Sequence, residues 1–100
     1  MKIDYQAIWE QARDYYSNTF EKIEKVPWDS DLLGIKQTQT YLEECLPVLQ
    51  EAFNKVNQTD EGRNHLIDDS DNLAGLIEDR LHHVIEKIEK CSVEMKKLEP

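Results

Sequence analysis

Glycine and proline are scarce in this chain, with three of each among 100 residues, and long apolar runs are missing altogether. Both residues interrupt helices, so their scarcity favours long helical segments. A membrane span needs roughly 20 consecutive apolar residues, and a signal peptide needs an apolar stretch behind its first residues. Neither stretch follows Met1–Asp4. These absences predict a soluble, all-α protein without a cleaved signal.

Basic residues are also few, because 12 Lys and Arg stand against 21 Asp and Glu and leave a net charge of −9. A nucleic-acid-binding protein needs a basic surface that displaces counterions from the phosphates. An anionic membrane surface likewise attracts basic segments. We therefore expect no direct binding to nucleic acid and no binding to a membrane.

Cysteine occurs only at Cys45 and Cys91. Both lie on the apolar stripes of separate predicted helices, where a thiol usually behaves as a small hydrophobic residue. Neither is expected to have a cationic neighbour that lowers its pKa. We predict reduced, buried thiols and a cytoplasmic location.

Three long segments carry apolar residues at alternating steps of three and four, the spacing of one helix face. This spacing predicts helices over about 5–25, 31–56 and 71–97. A chain of this length closes one hydrophobic core. We predict a single domain over 1–100, an antiparallel bundle of three long helices with packing angles of about 20°. The residues predicted to be most buried are Leu42, Leu49, Ile77, Leu81, Val84 and Ile88.

Proline and polar residues predict where these helices bend or end. Pro47 removes a backbone hydrogen bond, so the second helix either kinks there or splits and makes four helices in all. Residues 27–30 have turn and capping chemistry and predict a short connection between the first two helices. Residues 57–64 contain no apolar side chain and predict a mobile surface loop. Residues 68–71 offer several N-caps for the third helix.

Two places in the sequence contain side chains of the kinds that bind metal ions. His82 and His83, with Glu78 and Asp79 one turn earlier, could share a metal ion, but a closed zinc site needs four ligands and solvated surface histidines are the simpler interpretation. Residues 68–72 alternate oxygen donors as calcium loops do, yet a leucine stands where such a loop needs glycine. We expect no metal and no other cofactor.

Paired carboxylates at Glu43 and Glu44 raise the question of a nucleotide pyrophosphohydrolase, an all-α class with an E-E-x-x-E motif. The following residues, Cys45-Leu46-Pro47, do not complete that motif. The chain also contains no P-loop, nucleophile elbow or glycine-rich dinucleotide turn. We expect no enzymatic activity and no catalytic residues.

Acidic residues are concentrated in one part of the chain, where residues 59–71 hold five acids against Arg63 alone. A concentrated acidic face favours docking on a basic surface. The hypothesis is therefore a small acidic protein-binding module, most concretely a stoichiometric inhibitor or immunity-type protein that occupies a basic surface of a partner protein. Two tyrosines at the edges of the stripes add aromatic contact area. The residues predicted to contact the partner are Asp60, Glu61, Asp68, Asp69, Asp71, Glu78, Asp79, Tyr15 and Tyr41.

Two alternatives stay open from the sequence. The chain could be a structural or assembly component, a homodimer, secretion partner or adaptor, that pairs through its long amphipathic helices. Exposed apolar area would distinguish this role, because an assembly component leaves an apolar stripe for its mate. The acidic stretch could also serve only to keep the protein in solution.

Overall fold

The computed structural model describes residues 3–26 and 32–98 of the chain. Three long helices pack against one another, so the predicted all-α helical bundle is confirmed. A short helix and two short strands, which the sequence pattern did not predict, lie between the second and third long helices. The elements in chain order are α1 (Tyr5–Glu24), α2 (Leu32–Val56), α3 (Asp60–Arg63), β1 (Leu66–Ile67), β2 (Asp71–Asn72) and α4 (Leu73–Leu98). The connection predicted for residues 27–30 lies outside the described residues.

Helix α1 begins at a side-chain cap and ends where proline follows. The Asp4 carboxylate accepts a hydrogen bond of 3.0 Å from the backbone N–H of Ala7, which satisfies one of the free donors of the first turn. At the other end, the backbone N–H groups of Lys25 and Val26 donate to carbonyls three residues earlier. These bonds tighten the last turn immediately before Pro27.

Helix α2 supplies the centre of the core, and its burial follows the predicted stripe at every position. The helix continues unbroken through Pro47, whose side of the helix is exposed, so it does not split in two. Leu42, Leu49 and Val56 are fully buried. The complete set of stripe residues buried on this helix is Ile35, Thr38, Leu42, Cys45, Leu49, Ala52 and Val56.

Helix α4 runs antiparallel to α2 and buries Leu73, Ile77 and Val84 completely. Ile88 was predicted to be among the most buried residues and is only half-buried. The Phe20 ring of α1 already lies beside His83, and α1 ends one turn later. Among the described residues, the part of α4 beyond that level packs against α2, as the Gln39–Ser92 hydrogen bond shows, and Ile88 there stays partly open to solvent.

The molecule is elongated, with extents of 53 × 24 × 21 Å. Its radius of gyration of 15.7 Å exceeds the value of about 13 Å expected for a compact domain of 100 residues. Within the described residues, the longest helices carry too many polar side chains to cross a membrane.

Candidate protein-binding site

Residues 57–72, called the end cap below, close the bundle where α2 ends and α4 begins. Residues 57–64 lie mostly at the surface as predicted, but the prediction of a loop is wrong for Asp60–Arg63, which forms the helical turn α3. Thr59 caps this turn, since its side-chain oxygen accepts a 3.1 Å hydrogen bond from the N–H of Gly62. Thr59 followed by two acids is a helix-start signature, and this signal in the sequence could have revealed α3.

Close contact holds α3 against the ends of α1 and α2. A Cβ atom added at Gly62 would lie 2.1 Å from the Val56 carbonyl oxygen and 3.1 Å from a Tyr5 ring carbon. The Tyr5 hydroxyl forms a 3.1 Å hydrogen bond with the Thr59 hydroxyl, and its ring lies 4.9 Å from the His65 ring. The end cap is therefore fixed to the bundle by packing as well as by hydrogen bonds.

Arg63, the one base of residues 59–71, is used inside the end cap. Its guanidinium donates a 2.8 Å hydrogen bond to the Asn57 carbonyl and forms an ion pair with Asp60. Its own carbonyl accepts a 2.9 Å bond from the Asn72 amide. These contacts join α3 to the start of α4 and leave little of the positive charge to balance the other acids.

A two-stranded hairpin completes the end cap, with Ile67 paired to Asp71 across the strands. Asp68 and Asp69 form its turn with φ values of 54° and 64°, and the Ser70 N–H donates to the Ile67 carbonyl. Aspartate tolerates this left-handed backbone better than most residues because its short side chain can bond locally. Two of the predicted site acids therefore also have a role in the turn.

The N-caps predicted for α4 within residues 68–71 are wrong. Asn72 caps the helix instead, since its side-chain oxygen accepts a 2.9 Å bond from the N–H of Gly75. Helix α4 accordingly starts at Leu73 rather than at residue 71. The acids before Asn72 do not cap the helix, and all of them are exposed to solvent.

The structure brings the seven predicted acids to one end of the molecule, called the acidic end below. Five lie in the end cap and two lie near the start of α4, and every one is exposed. Among the described residues only Asp60 of this set forms an ion pair. The acidic end consists of Asp60, Glu61, Asp68, Asp69, Asp71, Glu78 and Asp79.

The two predicted tyrosines lie elsewhere. Tyr15 is exposed in the middle of α1. Tyr41 is half-buried on α2, where its hydroxyl accepts a bond from Gln37 and the Lys22 ammonium lies 5.7 Å from its ring. Lys22 belongs to the last turn of α1, remote from the end cap. The structure therefore places Tyr41 away from the acids of the end cap.

His82 is exposed as expected, but His83 is not a solvated surface residue. A hydrogen bond joins its Nδ1 atom to the Tyr16 hydroxyl, and its ring stacks on Phe20 at 4.9 Å with an interplanar angle of 8°. Tyr16 and Phe20 are partly buried residues of α1 that pack against the core. Across the described residues, no group of three or more His, Cys, Asp and Glu side chains is placed to hold a metal ion.

The predicted free and buried state of Cys45 and Cys91 is confirmed. Burial raises the pKa of both thiols, and a hydrogen bond with Thr19 partly opposes the shift at Cys45. The expectation that no cation lies near either thiol is wrong for Cys91, because Lys87 and Lys90 partly oppose the rise in its pKa. Neither thiol is activated for nucleophilic chemistry, since the thiolate is disfavoured at both sites.

Comparison with known proteins adds no relative to this geometry: no protein-family model, no curated protein and no solved structure matches the chain.

Proposed function

We propose that this protein is a small acidic protein-binding module, a stoichiometric inhibitor or immunity-type protein whose acidic end occupies a basic surface of a partner protein. The proposal rests on the exposure and the ion pairing of the acids in the acidic end. Six of its seven acids form no ion pair among the described residues, and all seven are exposed. The role needs no catalytic group and no cofactor, and we place it in the cytoplasm, where thiols stay reduced.

The attachment of the acids to ordered structure supports a role in binding a partner rather than a role in solubility alone. Charges placed for solubility can lie on any mobile surface, whereas five of these acids lie on α3 and the hairpin. Both are joined to the bundle through Tyr5, Gly62 and Arg63. A surface that is ordered before binding loses less conformational entropy on association, and a concentrated charge raises the association rate.

A comparison of two charge-matched variants tests this proposal. The test variant exchanges Asp68, Asp69 and Asp71 for Asn, which also tolerates the left-handed turn. The control exchanges Glu43, Glu44 and Glu89 for Gln, three exposed acids outside the acidic end. Both variants lose three negative charges. When immobilised and incubated with extract of the native host, the control should capture the same basic protein as wild type, and the test variant should lose it. Equal capture by both variants would refute the proposed site.

The second candidate function is assembly through the helices, and one observation favours it. Leu33, Val93 and Leu98 are exposed near the start of α2 and the end of α4, opposite the acidic end. Apolar side chains at such a place suit pairing with a second helical surface, including a homodimer. Light scattering after size exclusion tests it: a dimer that persists in high salt would favour assembly, since apolar contacts resist salt that screens charges.

A further inference from the structure

Helices α1 and α4 meet through aromatic and cationic side chains rather than through aliphatic ones. The Arg80 guanidinium carbon lies 4.6 Å from the Trp9 ring centroid and 5.5 Å from the Tyr16 ring centroid. Both distances fall within the range of about 6 Å in which a cation is attracted to an aromatic face. The Trp9 and Tyr16 rings of α1 therefore both contact the Arg80 guanidinium of α4.

Arg80 has no acidic partner within residues 3–26 and 32–98, although the chain is rich in Asp and Glu. It forms no ion pair among the described residues, and its one hydrogen bond runs from Nη1 to the Leu76 carbonyl at 3.2 Å. Its Nε atom is buried and has no hydrogen-bond partner among the described residues. Partly buried arginines are usually paired, so these unused donors require an explanation.

The sequence around Arg80 keeps carboxylates away from it. Side chains three and four positions away are its neighbours on the helix surface. Those positions hold two apolar residues before it, Leu76 and Ile77, and His83 and Val84 after it. Asp79 is adjacent in sequence, but consecutive side chains on a helix do not face each other. Among the described residues, the Nη2 atom therefore forms no hydrogen bond, and its donors are not used within the described part of the chain.

We propose that Arg80, held against Trp9 and Tyr16, binds the carboxylate of an acidic side chain of a partner protein. A guanidinium presents parallel N–H donors that match a carboxylate in a bidentate pair. The aromatic rings restrict its orientation before the ligand arrives, which lowers the entropy lost on binding. The net charge of −9 disfavours a polyanion such as nucleic acid. Asp79 of the acidic end is its neighbour in sequence, but the inference rests on the guanidinium and its aromatic contacts alone, so it does not depend on the proposed function.

Nuclear magnetic resonance of the whole labelled protein tests the site with defined probes. N-acetyl-glutamate α-amide is titrated at constant ionic strength, and the side-chain N–H signals of Arg80 and Trp9 are followed. The neutral glutamine analogue and inorganic phosphate serve as comparison probes. The variants are Arg80→Lys, Arg80→Gln and, as a control, Lys36→Gln, which removes an exposed base from α2.

The carboxylate probe should shift both signals in a saturable way, and the neutral analogue should not. Arg80→Lys keeps the charge but loses the paired donors and should weaken binding about tenfold. Arg80→Gln should abolish binding, whereas Lys36→Gln should leave it unchanged. Should Arg80→Gln fail to fold, Arg80→Lys and its control still decide the matter. A linear response without saturation, equal binding by Arg80→Lys and wild type, or tighter binding of phosphate would each overturn the proposal.

Discussion

At the level of single residues, Gly62 shows how closely the end cap approaches the bundle. An alanine Cβ at this position would lie 2.1 Å from the Val56 carbonyl oxygen, so the backbone must move to accept it. Gly62→Ala should lower the free energy of unfolding by about 1 to 3 kcal/mol. The control is Gly75→Ala on α4, where the nearest atom would lie 3.6 Å away. There alanine should stabilise the helix by about 0.5 to 1 kcal/mol. Urea unfolding measures both changes, and equal midpoints for the two variants would contradict the packing described.

The turn residues Asp68 and Asp69 allow a second test at this scale. Glycine adopts positive φ at no steric penalty, whereas a β-branched residue does so only under strain. Asp69→Gly should therefore leave stability unchanged or raise it slightly, and Asp69→Val should lower it by about 1 to 2 kcal/mol. The two variants remove the same charge, so their difference reports the backbone alone. Identical thermal unfolding midpoints would mean that the hairpin turn is not formed as described.

The two buried thiols predict that the free energy of unfolding falls at alkaline pH. Burial raises the pKa of Cys45 and Cys91 above the ordinary value of 9.0. The folded protein keeps thiol protons that the unfolded chain releases near that value, so this stability is complete below pH 9 and is lost as pH rises through the folded pKa. The decline measured by urea unfolding in reductant between about pH 7.5 and about pH 9.5 should be smaller for Cys45→Ala than for wild type. An undiminished decline would assign the alkaline sensitivity to other groups, such as Tyr16, whose pKa burial also raises.

At the level of elements, periodicity was a good guide to the long helices and a poor guide to the end cap. The stripe of α2 predicted each of its buried positions except Gly34, because one face of a long helix meets the core at a constant angle. The end cap escaped prediction because α3 has four residues and each strand has two, too few to show a period. Its structure depends on Thr59, Gly62 and Arg63, which contact parts of the chain distant in sequence.

The Arg80 site was missed for a related reason. The sequence showed aromatic residues on the stripe of α1 and a basic residue at the edge of the stripe of α4. Whether these meet depends on how the two helices are rotated about their axes, which periodicity does not determine. The acidic end could be predicted as a set of residues, because charge density is visible in the sequence. The distance of Tyr41 from the end cap could not, because it is a property of the packed bundle.

Helix α4 offers a test of the bundle packing. Leu81 is buried, whereas Ile85, one turn further along, is among the exposed large apolar residues. Leu81→Ala should reduce the free energy of unfolding by about 2 to 4 kcal/mol, because it removes buried surface and leaves a cavity. Ile85→Ala on the same helix should have a much smaller effect. Urea unfolding of the two variants checks where on α4 the buried stripe ends, and a larger loss at Ile85 than at Leu81 would contradict the packing described.

At the level of the whole molecule, two features of opposite charge adjoin, because Asp79 of the acidic end directly precedes Arg80. The acidic end closes one end of a bundle 53 Å long, and Arg80 lies on the side where α1 meets α4. A partner that contacts both would meet acids and a single guanidinium at fixed separation. Such a pattern would favour one orientation over others, since like charges placed opposite each other are destabilising.

The association rate with the captured partner, measured at low and high ionic strength, tests the central claim most directly. For wild type, the rate constant should be high in low salt and fall steeply as salt screens the acidic end. Exchange of Asp68, Asp69 and Asp71 for Asn should lower the rate in low salt several-fold and flatten its salt dependence. The charge-matched exchange of Glu43, Glu44 and Glu89 for Gln should change both much less. Rates of the Asn variant equal to wild type at both ionic strengths would contradict the account and leave these acids as solubilising surface.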